Sequence, residues 1–250
     1  MDIPGNREFL KDSIRLRIDF SATDQARGVP QPPIEKPVPP GVEPMPLPDP
    51  GALPFGKDLD LRAAIARRRS QRRFLPAPLS IEELSFLLWA TQGVRDPDRR
   101  QPMLRTVPSA GARHALETYV AALRVTGVEA GLYRYLPSRH ALVTEYLAGD
   151  LGKRLARACL GQTFVGEAAA VFIWATIPRR MEWRYGLAAH RVIPMDAGHA
   201  CQNLYLACEA IGAGTCAVAA YHQEQMDALL RADGEEEFTL YLAPAGKVGA

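Results

Sequence analysis

The sequence is poor in lysine, in cysteine and in long apolar runs. Five lysines stand against 25 arginines. Positive charge is therefore carried almost entirely by planar guanidinium forks rather than compact ammonium groups. The four cysteines (159, 201, 208 and 216) include no C-x-x-C pair and no obvious disulfide framework, which suits a reducing compartment. Their spacing with His190 and His199 matches no zinc pattern, so no metal site is expected. No G-x-S-x-G elbow is present, which removes the commonest hydrolase nucleophile signature. No apolar run approaches the roughly 20 residues of a membrane span. The start, Met1 to Asp12, has neither a signal-peptide core nor an anchor. A cytoplasmic protein without membrane or nucleic-acid partners is expected.

The 250 residues carry a net charge of +2. The segment Arg62–Arg73 holds six arginines and no acid, so it carries +6 and leaves −4 on the other 238 residues. This excludes a generally basic, nucleic-acid-coating chain and leaves two readings of one local feature. Arginines at a helix end complement its dipole and sit in water. Alternatively, guanidiniums crowded around the Ser70 hydroxyl bind an anion such as phosphate.

Eleven of the 21 prolines fall between Pro30 and Pro54, which forbids helix and favours extended chain. Residues 1–57 read as an N-terminal extension, either a disordered linker or a strap over the folded body, and 58–250 as the main domain. Within the domain, a helix is expected over 60–69. A second opens on a Ser80/Glu83 capping box and ends at Gly93. Strands are expected at 118–125, 131–135, 141–144, 168–177 and 238–243, with a hairpin between the second and third. Helices are expected at 150–160 and 223–231. A mostly apolar one opens at Pro194 and runs to Ile211, buried in the body or in a subunit interface. The mixture is α+β.

Two small-residue loops can approach a flat ligand closely: Pro108-Ser109-Ala110-Gly111-Ala112 and Gly212-Ala-Gly214-Thr215-Cys216-Ala217. Both also read as plain turns. The second lacks the strand and third glycine of a dinucleotide fingerprint. Lys247 adds a cation near the C-terminus.

In order, the chain carries Arg68-Arg69-Ser70-Gln71-Arg72-Arg73-Phe74, Leu79-Ser80-x-Glu82-Glu83-Leu84, Leu88-Trp89-Ala90 and Pro108-Ser109-Ala110-Gly111. There follow Gly131-Leu-Tyr-Arg-Tyr135, Trp183-Arg184-Tyr185-Gly186, Asp196-Ala-Gly-His199 and Gln202-Asn-Leu-Tyr-Leu206. This ordered set resembles the nitroreductase family of FMN-dependent oxidoreductases, specifically its SagB-type dehydrogenase branch. The resemblance implies an α+β sandwich with a central, mostly antiparallel sheet flanked by helices. It also implies an obligate homodimer with FMN at the interface. Arg68, Arg69, Ser70, Arg72 and Lys247 would hold the FMN phosphate and ribityl chain. Pro108, Ser109, Ala110 and Gly111 of the partner subunit would line the ring, with backbone contacts from Gly214, Thr215 and Cys216. Hydride would pass through flavin N5 between NAD(P)H or an organic substrate and an acceptor. Azoline-oxidising members carry Lys-Tyr where this chain has Arg184-Tyr185, the candidate catalytic pair. Arginine is a poor proton acceptor. The alternatives are dehydrogenation of a heterocycle in a modified peptide, and a non-catalytic flavin-binding module.

Overall fold

The computed structural model describes residues 3–95 and 103–249. Met1 and Asp2 of the chain start lie outside the described residues. The elements are α1 (Ile3–Arg7), β1 (Met45–Pro46), α2 (Leu61–Arg67), β2 (Leu79–Ser80), α3 (Ile81–Gln92), β3 (Leu116–Ala122), β4 (Val125–Thr126), β5 (Gly131–Leu136) and β6 (Ala141–Leu147). They continue with α4 (Leu151–Ala158), α5 (Thr163–Glu167), β7 (Ala170–Thr176), α6 (Arg179–Tyr185), α7 (Ala189–Ala210), β8 (Ala213–Thr215), α8 (Gln223–Leu230) and β9 (Phe238–Lys247).

Seven strands form one sheet in the order β1-β6-β5-β3-β7-β9-β8, and every neighbouring pair is antiparallel. The period-2 alternation of strand side chains divides the core into two layers. On β7, Phe172 and Trp174 face α3 and α7, while Val171 and Ile173 face α4 and α8. β7 is buried along its whole length, as a central strand covered on both faces must be. Helices on both faces of this sheet give the expected α+β sandwich.

Local chemistry places several boundaries. Ser80 and Glu83 form the full capping box that opens α3. Asp60 caps α2 by accepting from the Ala63 amide. Gly93 does end α3, but with φ −60° rather than a left-handed turn. Its lack of a side chain is used for space: a Cβ there would sit 2.3 Å from Trp89 Cδ1.

Pro194 does not open its helix. It is the sixth residue of α7, which starts at Ala189 on a 3-10 turn at Gly186–Ala188. An exposed proline forfeits one intrahelical bond, a cost that packing of the rest of this long helix outweighs.

The proline-rich segment lies on the body. Met45 and Pro46 pair with Leu142 and Ala141 as the edge strand, where a proline without N–H is tolerated. Upstream, buried charges grip its backbone. Arg134 donates to the Lys36 and Pro37 carbonyls at 3.1 and 3.0 Å, and Arg105 donates to the Ile34 carbonyl at 2.9 Å. Glu117 accepts from the Lys36 amide at 2.9 Å and pairs with Arg180. Arg134 pairs with Glu145 at 3.0 Å, and Lys36 pairs with Glu237. Among the described residues no helix is long and apolar enough to cross a membrane.

Candidate active site

The arginine segment leaves α2 at Arg68 and runs beside β8. Ser70 bridges Thr215, and the Gln71 amide donates to the Thr215 carbonyl at 2.9 Å. Gly214 permits this approach, because a Cβ there would lie 2.5 Å from Gln71 Cγ. The small loop predicted around 214–216 is thus a short strand that seats the arginines. Its backbone is already largely engaged by β9 and Gln71. The Thr215 hydroxyl is spent on the Pro244 carbonyl.

Tyr205, reaching up from α7, ties the pieces together. Its hydroxyl accepts from the Ala217 amide at 2.9 Å and shares a 2.9 Å hydrogen bond with Ser70 Oγ. A phenol has one proton, and giving it to Ser70 leaves the Ser70 proton free to donate outward. The Arg68 guanidinium lies 5.1 Å over the Tyr205 ring, and Arg72 lies 5.9 Å over Phe164. Among the described residues, no acid pairs with Arg68, Arg69 or Arg72, while Arg67 reaches Glu209 at 3.7 Å. Three unpaired guanidiniums and an available hydroxyl are a donor set suited to phosphate. Burial raises the Cys216 thiol, with Arg72 and Ser70 opposing, so it stays protonated and inert at neutral pH.

Lys247 stands apart from this set. Its ammonium pairs with Glu83 and donates to the Ile211 carbonyl at 2.6 Å, which joins α3, α7 and β9. The expectation of a free cation for phosphate meets an ammonium whose charge is already balanced.

The Pro108–Gly111 loop lies at the other end of α7. Buried Asp196 faces it: burial raises that carboxyl, opposed by the Ser109 hydroxyl and the Ala110 amide. Asp196 and Tyr205 are nine residues apart, about 13 Å along a helix axis. Among the described residues, no hydrogen bond or ring contact joins the arginine segment to this loop within one chain.

It does bring the loop against the candidate catalytic pair. A Cβ on Gly111 (φ 57°) would sit 2.7 Å from Tyr185 Oη and 3.0 Å from Arg184 Nε. Arg184 lies 5.6 Å over the Tyr185 ring. Sequence reasoning missed Arg113, whose Nε donates to the Gly111 carbonyl at 2.8 Å and whose guanidinium lies 5.2 Å over Trp183. It missed Tyr205 as well, beyond its place in a motif. Proximity of each to the loops could have been found only by folding.

An all-antiparallel sheet between two helical layers, with an unpaired arginine segment laid along its edge strand, is the nitroreductase-like architecture. The chain belongs to the nitroreductase family: the family model matches residues 65–247. Proteins of this family typically bind flavin, and the donor set around Ser70 fits the phosphate of such a cofactor. A nitroreductase-family protein of Methanocaldococcus jannaschii is 37% identical over 195 residues, 78% of this chain and 94% of that one. The trifolitoxin-processing protein TfxB of Rhizobium leguminosarum bv. trifolii is 31% identical over 146 residues, 55% of this chain and 39% of that protein. Among solved structures, a nitroreductase-like protein of Ralstonia eutropha superposes with a TM-score of 0.67 at 27% identity, covering 86% of this chain and 99% of that one.

Proposed function

We propose that this chain is an FMN-dependent oxidoreductase of the SagB-type branch, working as a homodimer with one site at each end of the interface. The observation that carries the reading is the cluster of Arg68, Arg69 and Arg72 around Ser70, unpaired by any described acid. Like charges crowded this way are stable only in water or against an anion, and one phosphate supplies that anion.

FMN held there supplies hydride transfer between a nicotinamide or organic donor and an acceptor. The chain's own part is positional. Arg68 and Arg72 fork onto phosphate oxygens, and Tyr205 holds Ser70 so that its proton points to them. Gly214 lets the segment lie flat on β8. Pro108–Gly111 of the partner subunit, fixed by Asp196, walls the ring side and carries Arg184 and Tyr185 with it. Tyr185 is the proton donor to substrate, because arginine is a poor acid–base group.

The dimer reading draws on α7. Pro194, Met195, Gly198, His199 and Gln202 form an exposed stripe on α7, whose opposite face buries Ile193, Ala197, Cys201 and Leu204. An apolar groove of about 420 Å³, lined by Phe55, Phe86, Trp89, Leu206, Ala207 and Ala210, continues it.

The test is the spectrum of the purified protein, where flavin bands near about 450 nm are expected. Arg68→Ala with Arg72→Ala should give colourless protein; full retention of FMN in that variant overturns the site. A second reading, dehydrogenation of a heterocycle in a modified peptide, is favoured by similarity to the trifolitoxin-processing protein. Turnover of azoline peptides against NAD(P)H separates the two. Purified yellow protein that turns over neither marks a flavin-binding module.

A further inference from the structure

We propose that Arg113 and Arg184 form an anion-binding pair on the Pro108–Gly111 loop, which anchors a carboxylate or phosphate group of the organic substrate. This rests on the reading that Arg184 and Tyr185 line the substrate side of the site.

Both guanidiniums converge on one glycine. Arg113 Nε donates to the Gly111 carbonyl, and Arg184 Nε lies 3.0 Å from where a Gly111 Cβ would be. Arg113 is 8% exposed, yet among the described residues no acid pairs with it. Among the described residues neither of its Nη groups has a hydrogen-bond partner, and neither is fully buried. Among the described residues Arg184 has no acid partner either. The acids on adjoining segments are turned elsewhere: Asp12 pairs with Arg15 and Arg191, Glu182 with His190, and buried Asp196 lies at the Ser109 hydroxyl and the Ala110 amide, with no ion pair to either arginine among the described residues. Burial, and then the charge of Arg184, lower the Arg113 pKa, as two uncompensated cations side by side require.

The backbone is strained to hold Arg113 in this place. Gly111, Ala112 and His114 all have positive φ (57°, 53° and 50°), two of them non-glycine. At the two non-glycine positions such conformations cost of order 1 kcal/mol or more each, and persist where the surroundings over-determine them. Here Ala112 N–H donates to the Ser109 carbonyl, Arg113 N–H to the Ala110 carbonyl, and His114 N–H to Ser109 Oγ. Trp183 completes the mount: its ring lies under Arg113 and its Nε1 donates to the Val29 carbonyl. Two guanidiniums beside a tyrosine hydroxyl select a ligand with an oxyanion at one end and its reacting centre near Tyr185.

Calorimetric titration of the full-length protein with benzoate, phenyl phosphate and benzamide tests the pair. An anion should bind at least about tenfold more tightly than neutral benzamide. Whichever of benzoate and phenyl phosphate binds more tightly names carboxylate or phosphate as the source. Arg184→Gln should abolish the preference, and so should Arg113→Gln. Arg113→Lys should retain part of it by keeping the charge. Arg184 is half exposed, so Arg184→Gln should melt like the parent and remains informative if Arg113→Gln fails to fold. Arg68→Ala with Arg72→Ala should leave the preference intact, which separates this site from the other arginines. Equal affinity for benzoate and benzamide, or a preference that survives Arg184→Gln, overturns the pair. Anion preference in protein that never retains flavin would sink the flavin reading alone, and flavin retention without anion preference would sink this one alone.

Discussion

Two regions of this molecule are rich in arginine, and they treat the charge in opposite ways. Where residues 34–37 cross the sheet, Arg105, Arg134 and Arg180 are buried, and every guanidinium meets a carboxylate or a carbonyl. Along 68–72, the guanidiniums are half or fully exposed and meet no acid. Removing the partner of a buried charge is strongly destabilising, so these contacts belong to the fold. An exposed and crowded set can wait for a ligand. Satisfied charge marks architecture, and unsatisfied charge marks a site.

The largest test breaks the satisfied region. Glu117→Ala strips Arg180 and the Lys36 amide of their partner and should cost about 3–5 kcal/mol in denaturant unfolding. A loss below about 1 kcal/mol would mean that the clamp contributes little. The mirror experiment on the other side is Arg68→Ala with Arg72→Ala. Cofactor-free protein should unfold within about 0.5 kcal/mol of the parent, while FMN affinity falls about a hundredfold or more. A large stability loss without FMN would erase the contrast.

Acid sharpens it further. Burial depresses the His114 imidazole from its ordinary range to about 3. Its contribution to stability is therefore whole above the unfolded value of about 6.5 and is lost as pH falls below it. The slope is about 1.4 kcal/mol per pH unit. Asparagine tolerates the positive φ of this position, so His114→Asn should flatten that slope in unfolding curves taken between pH about 7 and about 4.

Smaller effects follow. Tyr205→Phe removes the hydroxyl that accepts from Ala217 and orients Ser70; about 1 kcal/mol of stability and a several-fold weaker phosphate grip are expected from melting and FMN titration. Gly111→Ala places a side chain at φ 57° and should cost about 1 kcal/mol in unfolding, while its Cβ pushes Tyr185 and Arg184 aside. Turnover should drop because they move; an unchanged rate would separate the pair from the chemistry.

Much of the frame was legible because it is local. The Ser80/Glu83 box, the hairpin of β5 and β6, the apolar run of β7 and the arginine segment each follow from residues close in sequence. Pro194 was misread because end preference is a weak rule and burial of α7 overrode it. Lys247 read as a spare cation because nothing in its neighbourhood announces Glu83, 164 residues away. Arg113 was silent for a related reason: Ala112 and His114 do not advertise positive φ as glycine does. The proline-rich stretch showed that it must be extended but not that Arg105, Arg134 and Glu117 would grip its backbone.

By itself, the sequence determined that positive charge concentrates in one guanidinium-rich segment, and that apolar periodicity builds an α+β body. Those are properties of composition and near neighbours. Which arginines are balanced and which are left open was decided only by the tertiary structure. Ion pairing depends on distances of a few ångströms between residues far apart in the chain, and folding alone sets those distances.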